Sequence, residues 1–157
     1  MGFAARCEGR KNPHYLDGLP SYVFTNSIEF NTIWKNGAKI DMSKSKVFHY
    51  DSKFSDNFWN MDWGISHSAF TSEPFGYSIF QSVDRGKLPI IHSTWCSELE
   101  YPYRVENKNE FRNIYNKLIQ TPYKEKNKWF LELKSYMISK FTNKDKWVKN
   151  LLDIYNI

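Results

Sequence analysis

Cysteine and glycine are both scarce in this sequence of 157 residues, which contains 2 cysteines and 7 glycines. Two cysteines are too few for a disulfide framework, and Cys7 and Cys96 belong to no Cys-x-x-Cys or Cys/His pattern that would indicate zinc. No apolar run approaches the length of a membrane-spanning helix, and the first residues lack the apolar segment of a secretory signal. We therefore expect a soluble, cytoplasmic protein. The histidines also show no metal-ligand spacing; they are His14, His49, His67 and His92.

Aromatic and basic residues, by contrast, are plentiful. Aromatic residues make up 18% of the chain, and 22 Lys and Arg against 17 Asp and Glu leave a net charge of +5. The apolar fraction of 41% and the charged fraction of 25% are typical of a globular protein, and the length fits one domain rather than two. The positive charge is compatible with an anionic ligand or a nucleic acid. The lysines are spread along the chain, however, which favours a solvated surface.

Short apolar runs alternate with helical patterns over the first two-thirds of the chain. Several of these runs are apolar on both faces, as buried parallel strands are. The alternation predicts an α/β fold: a single Rossmann-like domain in which helices cover both faces of a parallel sheet. The predicted strands are 2–6, 21–25, 46–50, 63–70 and 88–93, and the predicted helices between them are 12–18, 27–37, 54–61 and 76–86.

The last third of the chain has helical patterns only. Apolar residues recur at a spacing of 3.6 residues within 111–119, 129–137 and 147–155. Thr142 and Asp145 form a capping box that predicts the start of the last of these helices. Such stripes are packing faces, so we expect C-terminal helices that complete a single domain over residues 1–157.

The first candidate ligand site follows the first predicted strand. This strand ends near Arg6, and Asn12 and Pro13 are the residue types preferred at the N-cap and the first position of a helix. Arg6 and Lys11 therefore bracket a loop beside a helix N-terminus, whose free N–H groups favour an anion. A diphosphate fits this combination of charges, and surface cations on an ordinary loop are the alternative.

The second candidate site lies between the strand that ends near Phe70 and the helix predicted to run from Gly76 to Arg85. Gly76 allows a ligand to approach the backbone closely. The carboxylate of Glu73 can accept hydrogen bonds from sugar hydroxyls. The alternative for Glu73 is an acidic residue that only complements the helix dipole. Gly86 is predicted to end the helix.

The two segments together resemble the C-terminal, nucleotide-sugar-binding domain of retaining GT-B glycosyltransferases of the family 4 type. The family has Arg-x4-Lys followed by Asn-Pro, then Glu-Pro-Phe-Gly before a helix, then Gly and a Pro-containing strand. The matching residues here are Arg6, Lys11, Asn12, Pro13, Glu73 to Gly76, and Gly86 to Ile91. The tail 141–157 is also similar to the closing helix of the family, so the resemblance extends from about residue 3 to the last residue.

The resemblance implies a role for each matched residue. Arg6 and Lys11 would bind the diphosphate of the donor and stabilise the departing nucleotide, which makes them catalytic in the electrostatic sense. Glu73 would hold hydroxyls of the transferred hexose, helped by the backbone of Phe75 and Gly76. The donor, a nucleoside-diphosphate sugar, is a substrate, and the family needs no metal or other cofactor.

The sequence differs from the family pattern at Gln81 and in the segment Gly86–Pro89. Gln81 occupies the position of a second glutamate that would contact the ribose, so a charge-assisted hydrogen bond becomes a neutral one. The segment Gly86–Pro89 has one residue more than the commonest family form, as in a phage DNA α-glucosyltransferase, which keeps DNA open as an acceptor. The nucleobase pocket is expected near Tyr50.

A GT-B enzyme has two Rossmann-like domains, and the first binds the acceptor. The resemblance covers the second domain only, so we expect the acceptor-binding domain to be absent from this chain and to be required for transfer, as a further domain or a partner subunit. The acceptor, whether glycan, lipid, protein or DNA, is not indicated. A non-catalytic module that binds nucleotides or nucleic acid on the same fold, or a plain interaction domain, are the alternatives.

Overall fold

A computed structural model of the chain describes residues 1–4, 13–25, 34–35, 38–39, 41–49, 65–68 and 77–141. Its strands are β1 (Gly2–Ala4), β2 (Ser21–Thr25), β3 (Trp34–Lys35), β4 (Ala38–Lys39), β5 (Ser45–His49), β6 (Ile65–Ser68), β7 (Leu88–His92) and β8 (Arg104–Val105). Its helices are a 3-10 helix (Pro13–Leu16), α1 (Tyr77–Asp84), α2 (Lys108–Gln120) and α3 (Tyr123–Phe141). Within these ranges, no helix has the length and apolar character needed to cross a membrane.

Six strands form one parallel sheet in the order β5-β2-β1-β6-β7-β8. From β1 the chain builds outward to β2 and β5 on one side. It then returns to the other side of β1, where it adds β6, β7 and β8 in turn. The order therefore reverses between β1 and β6, as at the switch point of a doubly wound sheet, and is compatible with a Rossmann-like fold. The predicted α/β class with a parallel sheet is confirmed.

All five predicted strands are present, but one helix prediction is wrong. The strands β3 (Trp34–Lys35) and β4 (Ala38–Lys39) form an antiparallel pair. Of these two strands, β3 lies within the predicted helix 27–37. The residues between these two strands are Asn36 and Gly37, a dipeptide that is a strong hairpin signal and that outweighs the weak helical pattern before it. Residues 27–33 and the predicted helix 54–61 lie outside the described residues.

The helix predicted over 12–18 is a single 3-10 turn, Pro13–Leu16. Gly18 has a φ of 66°, a conformation that a helix cannot continue through. Its N–H donates to the carbonyl oxygen of Asp41 at 2.9 Å instead of to a helical partner. This bond joins the turn before β2 to the segment before β5. The helical turn thus ends at Leu16, and β2 begins at Ser21.

Gly86 ends α1, as predicted. Its φ is 72°, and its N–H donates to the carbonyl oxygen of Val83 at 3.0 Å. The N–H of Lys87 donates to the carbonyl oxygen of Ser82 at 2.7 Å, which completes the two-bond pattern of a Schellman C-cap. The chain therefore turns directly from α1 into β7.

Both faces of the sheet are covered at β7. Leu88, Pro89, Ile90 and Ile91 are all buried, and successive strand residues point to opposite faces. The 3-10 helix packs against α2, and α1 packs against α3. Because β1 connects to β2 in one direction and β6 connects to β7 in the other, right-handed connections place the 3-10 helix and α1 on opposite faces.

Pro89 lies within the parallel strand β7 although it has no N–H to donate to a neighbouring strand. Ile91 N–H and Ser93 N–H donate to the carbonyl oxygens of Tyr103 and Val105, so the odd-numbered residues of β7 direct their backbone groups toward β8. Pro89 lies on the same side, before β8 begins, and its missing N–H therefore costs no ladder bond. The Pro89 carbonyl oxygen accepts a hydrogen bond of 2.5 Å from the buried hydroxyl of Tyr101.

The predicted helices after residue 105 are confirmed as far as residue 141. Asn107 caps α2, because its side chain accepts hydrogen bonds from the N–H groups of Asn109 and Glu110. The buried residues of the two long helices keep the predicted helical spacing; they are Phe111, Leu118, Leu133 and Met137. The helix predicted over 147–155 lies outside the described residues.

Candidate functional site at the carboxyl edge of the sheet

The carboxyl ends of β1, β6 and β7 lie side by side. Phe3 is the register partner of His67, and Ser68 is the partner of Ile91. Neighbouring strands are separated by about 4.8 Å. Residues 5–12 follow β1 and residues 69–76 follow β6, so both segments leave adjacent strand ends at the point where the strand order reverses. In open α/β sheets this is where ligands bind.

Most of the predicted site residues lie outside the described residues; they are Arg6, Lys11, Tyr50, Glu73, Phe75 and Gly76. Gln81 is described, and its side chain is exposed on α1. This helix begins at Tyr77, directly after Gly76, as the motif predicts. The structure thus describes the strand ends and the helix on either side of the predicted site, and one of the predicted site residues, Gln81.

A further polar group lies at the end of β7. The Nδ1 atom of His92 is 2.9 Å from the Oγ1 atom of Thr94 and 3.3 Å from its backbone nitrogen. A backbone N–H can only donate, so Nδ1 accepts, and in the neutral ring the proton is on Nε2. Sequence reasoning missed His92 because no motif contains it. The signal that was available is its position at the end of a predicted strand.

The side chain of Arg104, in β8, holds the backbone of the segment between β7 and β8. The guanidinium group of Arg104 donates hydrogen bonds to the carbonyl oxygens of Cys96 and Leu99. Cys96 has a φ of 52°, an uncommon conformation for a residue with a side chain. Burial raises the pKa of the Cys96 thiol to about 12. Since the thiolate is the reactive form, this cysteine is not a nucleophile at neutral pH.

Glu98 ties the same segment to α3. Its carboxylate accepts a hydrogen bond of 2.6 Å from the Tyr136 hydroxyl and pairs with the Lys140 ammonium group. The Lys140 ammonium group also donates to the Tyr136 hydroxyl oxygen at 2.8 Å. The hydrogen bond from Lys140, and to a smaller extent the one from Tyr136, lowers the pKa of Glu98 to about 2. The hydrogen bond to Glu98 raises the pKa of Lys140. With each charge paired, the cluster is a structural link rather than a reactive group.

We expect this link to weaken in acid over a defined range. Because the folded-state pKa of Glu98 is depressed, its contribution to stability is present above the ordinary value of 4.5 and is lost as the pH falls toward about 2. The difference in thermal midpoint between the unaltered chain and Glu98→Gln should therefore shrink across this range. Glu100→Gln, an exposed carboxylate in the same segment, is the control and should show no such trend. A constant difference at every pH would contradict the role of the Glu98 charge.

A scan against protein-family models finds no matching family, and searches of the curated proteins and of the solved structures find no match. Function is therefore inferred from the chemistry of this chain.

A shallow depression of about 430 Å³ lies at the junction of α2 and α3. Its lining is mainly amide and hydroxyl groups, with one cation and one anion: Asn113, Asn116, Lys117, Gln120, Thr121, Pro122 and Glu125. Since α2 starts after the carboxyl end of β8 and is about 20 Å long, its far end lies toward the amino edge of the sheet. The depression is thus separate from the switch point.

Four residues with charged or hydrogen-bonding side chains belong to the ends of β1, β6 and β7 or to the sequence segments that follow them. Arg6 and Lys11 follow β1, Glu73 follows β6 and His92 ends β7. Such a set suits a ligand that joins an anionic group to hydroxyl groups. Among the residues that the structure describes, no three His, Cys, Asp or Glu side chains are grouped closely enough to hold a metal ion.

Proposed function

We propose that this chain is the nucleotide-sugar-binding domain of a retaining glycosyltransferase and forms the C-terminal half of a GT-B fold. The main support is topological. The segment with Arg6 and Lys11 and the segment with Glu73 and Gly76 follow neighbouring strands, β1 and β6, on either side of the reversal in strand order. Two motifs far apart in the sequence thereby belong to one edge of one sheet, where a nucleotide binds in Rossmann-like domains.

The proposed chemistry is electrostatic. The cations Arg6 and Lys11 bind the donor diphosphate and offset the charge that develops on the nucleotide as the glycosidic bond breaks. The N-terminus of α1, whose first N–H groups have no partner within the helix, adds partial positive charge. Glu73 accepts hydrogen bonds from hydroxyls of the hexose, and the backbone at Phe75 and Gly76 approaches it closely.

The nucleoside end of the donor is assigned to two further residues. Gln81, which is exposed on α1, contacts the ribose through a neutral amide, and Tyr50 lies beside the base. The acceptor binds to the other half of the enzyme, supplied by a further domain or a partner subunit. The domain acts in the cytoplasm and uses the nucleotide sugar as a substrate, with no metal or other cofactor.

The proposal is tested by measuring the thermal midpoint of the full chain with a panel of UDP-, GDP- and ADP-sugars. A ligand that binds only the folded state at a concentration of 100 times its Kd raises the free energy of unfolding by about 2.7 kcal/mol. We expect at least one member of the panel to raise the midpoint. No shift with any nucleotide sugar at millimolar concentration would contradict the proposal. Salt-sensitive binding to DNA without a nucleotide response would instead support the nucleic-acid-binding module.

A further inference from the structure

We propose that His92 is a further donor-binding residue, whose Nε2–H group donates a hydrogen bond to a phosphate oxygen of the nucleotide sugar. This assignment rests on the proposed function and adds β7 to the two strands that the sequence motifs follow. Three observations support it: the place of His92 at the edge of the sheet, the tautomer imposed by Thr94, and the fixed conformation of the segment between β7 and β8.

His92 is at the level of the switch point. Ile91 is the register partner of Ser68, the last residue of β6, so His92 is one residue beyond the last pair of β6 and β7. The ends of β1, β6 and β7 together span two strand spacings, about 10 Å. A diphosphate bound midway between the ends of β1 and β6 is therefore about one and a half strand spacings, about 7 Å, from the end of β7.

Thr94 determines which atom of the ring can donate. Its backbone N–H lies 3.3 Å from Nδ1, and its hydroxyl oxygen lies 2.9 Å from the same atom. Because Nδ1 accepts, Nε2 carries the proton of the neutral ring and can only donate. No residue in the described ranges accepts a hydrogen bond from Nε2. A phosphate oxygen of the nucleotide sugar, which can only accept hydrogen bonds, is the matching partner for this N–H group.

The turn that holds the ring is fixed before any ligand binds. The carbonyl oxygen of His92 accepts from the N–H of Trp95 at 2.9 Å, and the N–H of Ser93 donates to the carbonyl oxygen of Val105 at 2.9 Å. The bonds from Arg104 and the link from Glu98 to α3 hold the rest of the segment. A hydrogen-bonding side chain that is already oriented loses little conformational freedom when the ligand binds.

The test compares ligands with and without phosphate. Isothermal titration of the full chain is carried out with the best nucleotide sugar, its nucleoside diphosphate and its nucleoside. For His92→Ala we expect about a tenfold or greater loss of affinity for the two phosphate-containing ligands, the range expected for a hydrogen bond to a charged group. Affinity for the nucleoside should not change.

Three other variants refine the result. His92→Gln keeps an N–H donor and should restore part of the affinity. Thr94→Val removes the hydroxyl that helps to fix the tautomer and should weaken phosphate binding less than His92→Ala does. Ser97→Ala, an exposed position in the same segment, is the control and should bind like the unaltered chain.

The possible failures are distinguishable. If the unaltered chain binds the nucleotide sugar and His92→Ala binds it equally well, the role of His92 is contradicted while the proposed function stands. An equal loss of affinity for the nucleoside and the diphosphate would show a general disturbance of the fold and would also contradict a phosphate contact. If the unaltered chain binds none of the ligands, the proposed function and the role of His92 are both wrong.

Discussion

Replacing Phe3 by alanine is expected to lower the free energy of unfolding by about 3–5 kcal/mol. Phe3 is 0% exposed and lies in β1, which pairs with β2 on one side and β6 on the other. The side chain belongs to the main core cluster. Deleting it removes buried apolar surface and leaves a cavity, because the strands on both sides limit how far the sheet can collapse.

Urea unfolding followed by tryptophan fluorescence measures this effect. Tyr123→Ala is the matched control, since Tyr123 is an aromatic residue that is 81% exposed and its removal should change stability by less than about 0.5 kcal/mol. Small proteins are stable by about 5–15 kcal/mol, so Phe3→Ala should leave a marginally folded chain. Similar losses for the two variants would mean that β1 is not at the centre of the core.

Replacing Arg6 or Lys11 by alanine is expected to remove most of the affinity for a nucleotide sugar. A hydrogen bond to a charged group contributes about 1.5–3 kcal/mol, which corresponds to a tenfold or greater increase in Kd. Because the proposed ligand carries a diphosphate, the loss should also appear with the nucleoside diphosphate alone. Stability without ligand should change little for residues that serve mainly to bind it.

Lys44→Ala is the control for this experiment. Lys44 is exposed and directly precedes β5, so it lies at the amino edge of the sheet, opposite the proposed site. The variant loses the same charge as Lys11→Ala but should keep its affinity when both are measured by titration at the same ionic strength. If Lys44→Ala weakens binding as much as Lys11→Ala, the attraction is a property of the net charge and not of a site.

The sequence predicted most elements because their signals are local. The apolar run 21–25 coincides with β2, and Gly86 ends α1 where a left-handed residue was expected. The prediction failed over Trp34–Lys35, where the Asn-Gly hairpin signal was overlooked. β8 was also missed, because a strand of two residues has no period that a pattern can reveal, and its pairing with β7 defines it.

The candidate site divides in the same way. Its cations and its carboxylate were identified from residue type and from their positions next to predicted helix starts, and their roles remain predictions. His92 could not be selected in this way, because the role proposed for it depends on the strand beside β7 and on a contact with Thr94. The link from Glu98 to Tyr136 and Lys140 also joins residues that no local pattern connects.

The sequence by itself determined the class of the fold, most of the elements and the residue types at the proposed site. These depend on periodicity, caps and turn residues, which act between positions a few residues apart. Only the tertiary structure decided that β1 lies beside β6 and that the order reverses there. Pairing of distant strands depends on how well their side chains pack against the covering helices, and on the entropy of closing the chain between them.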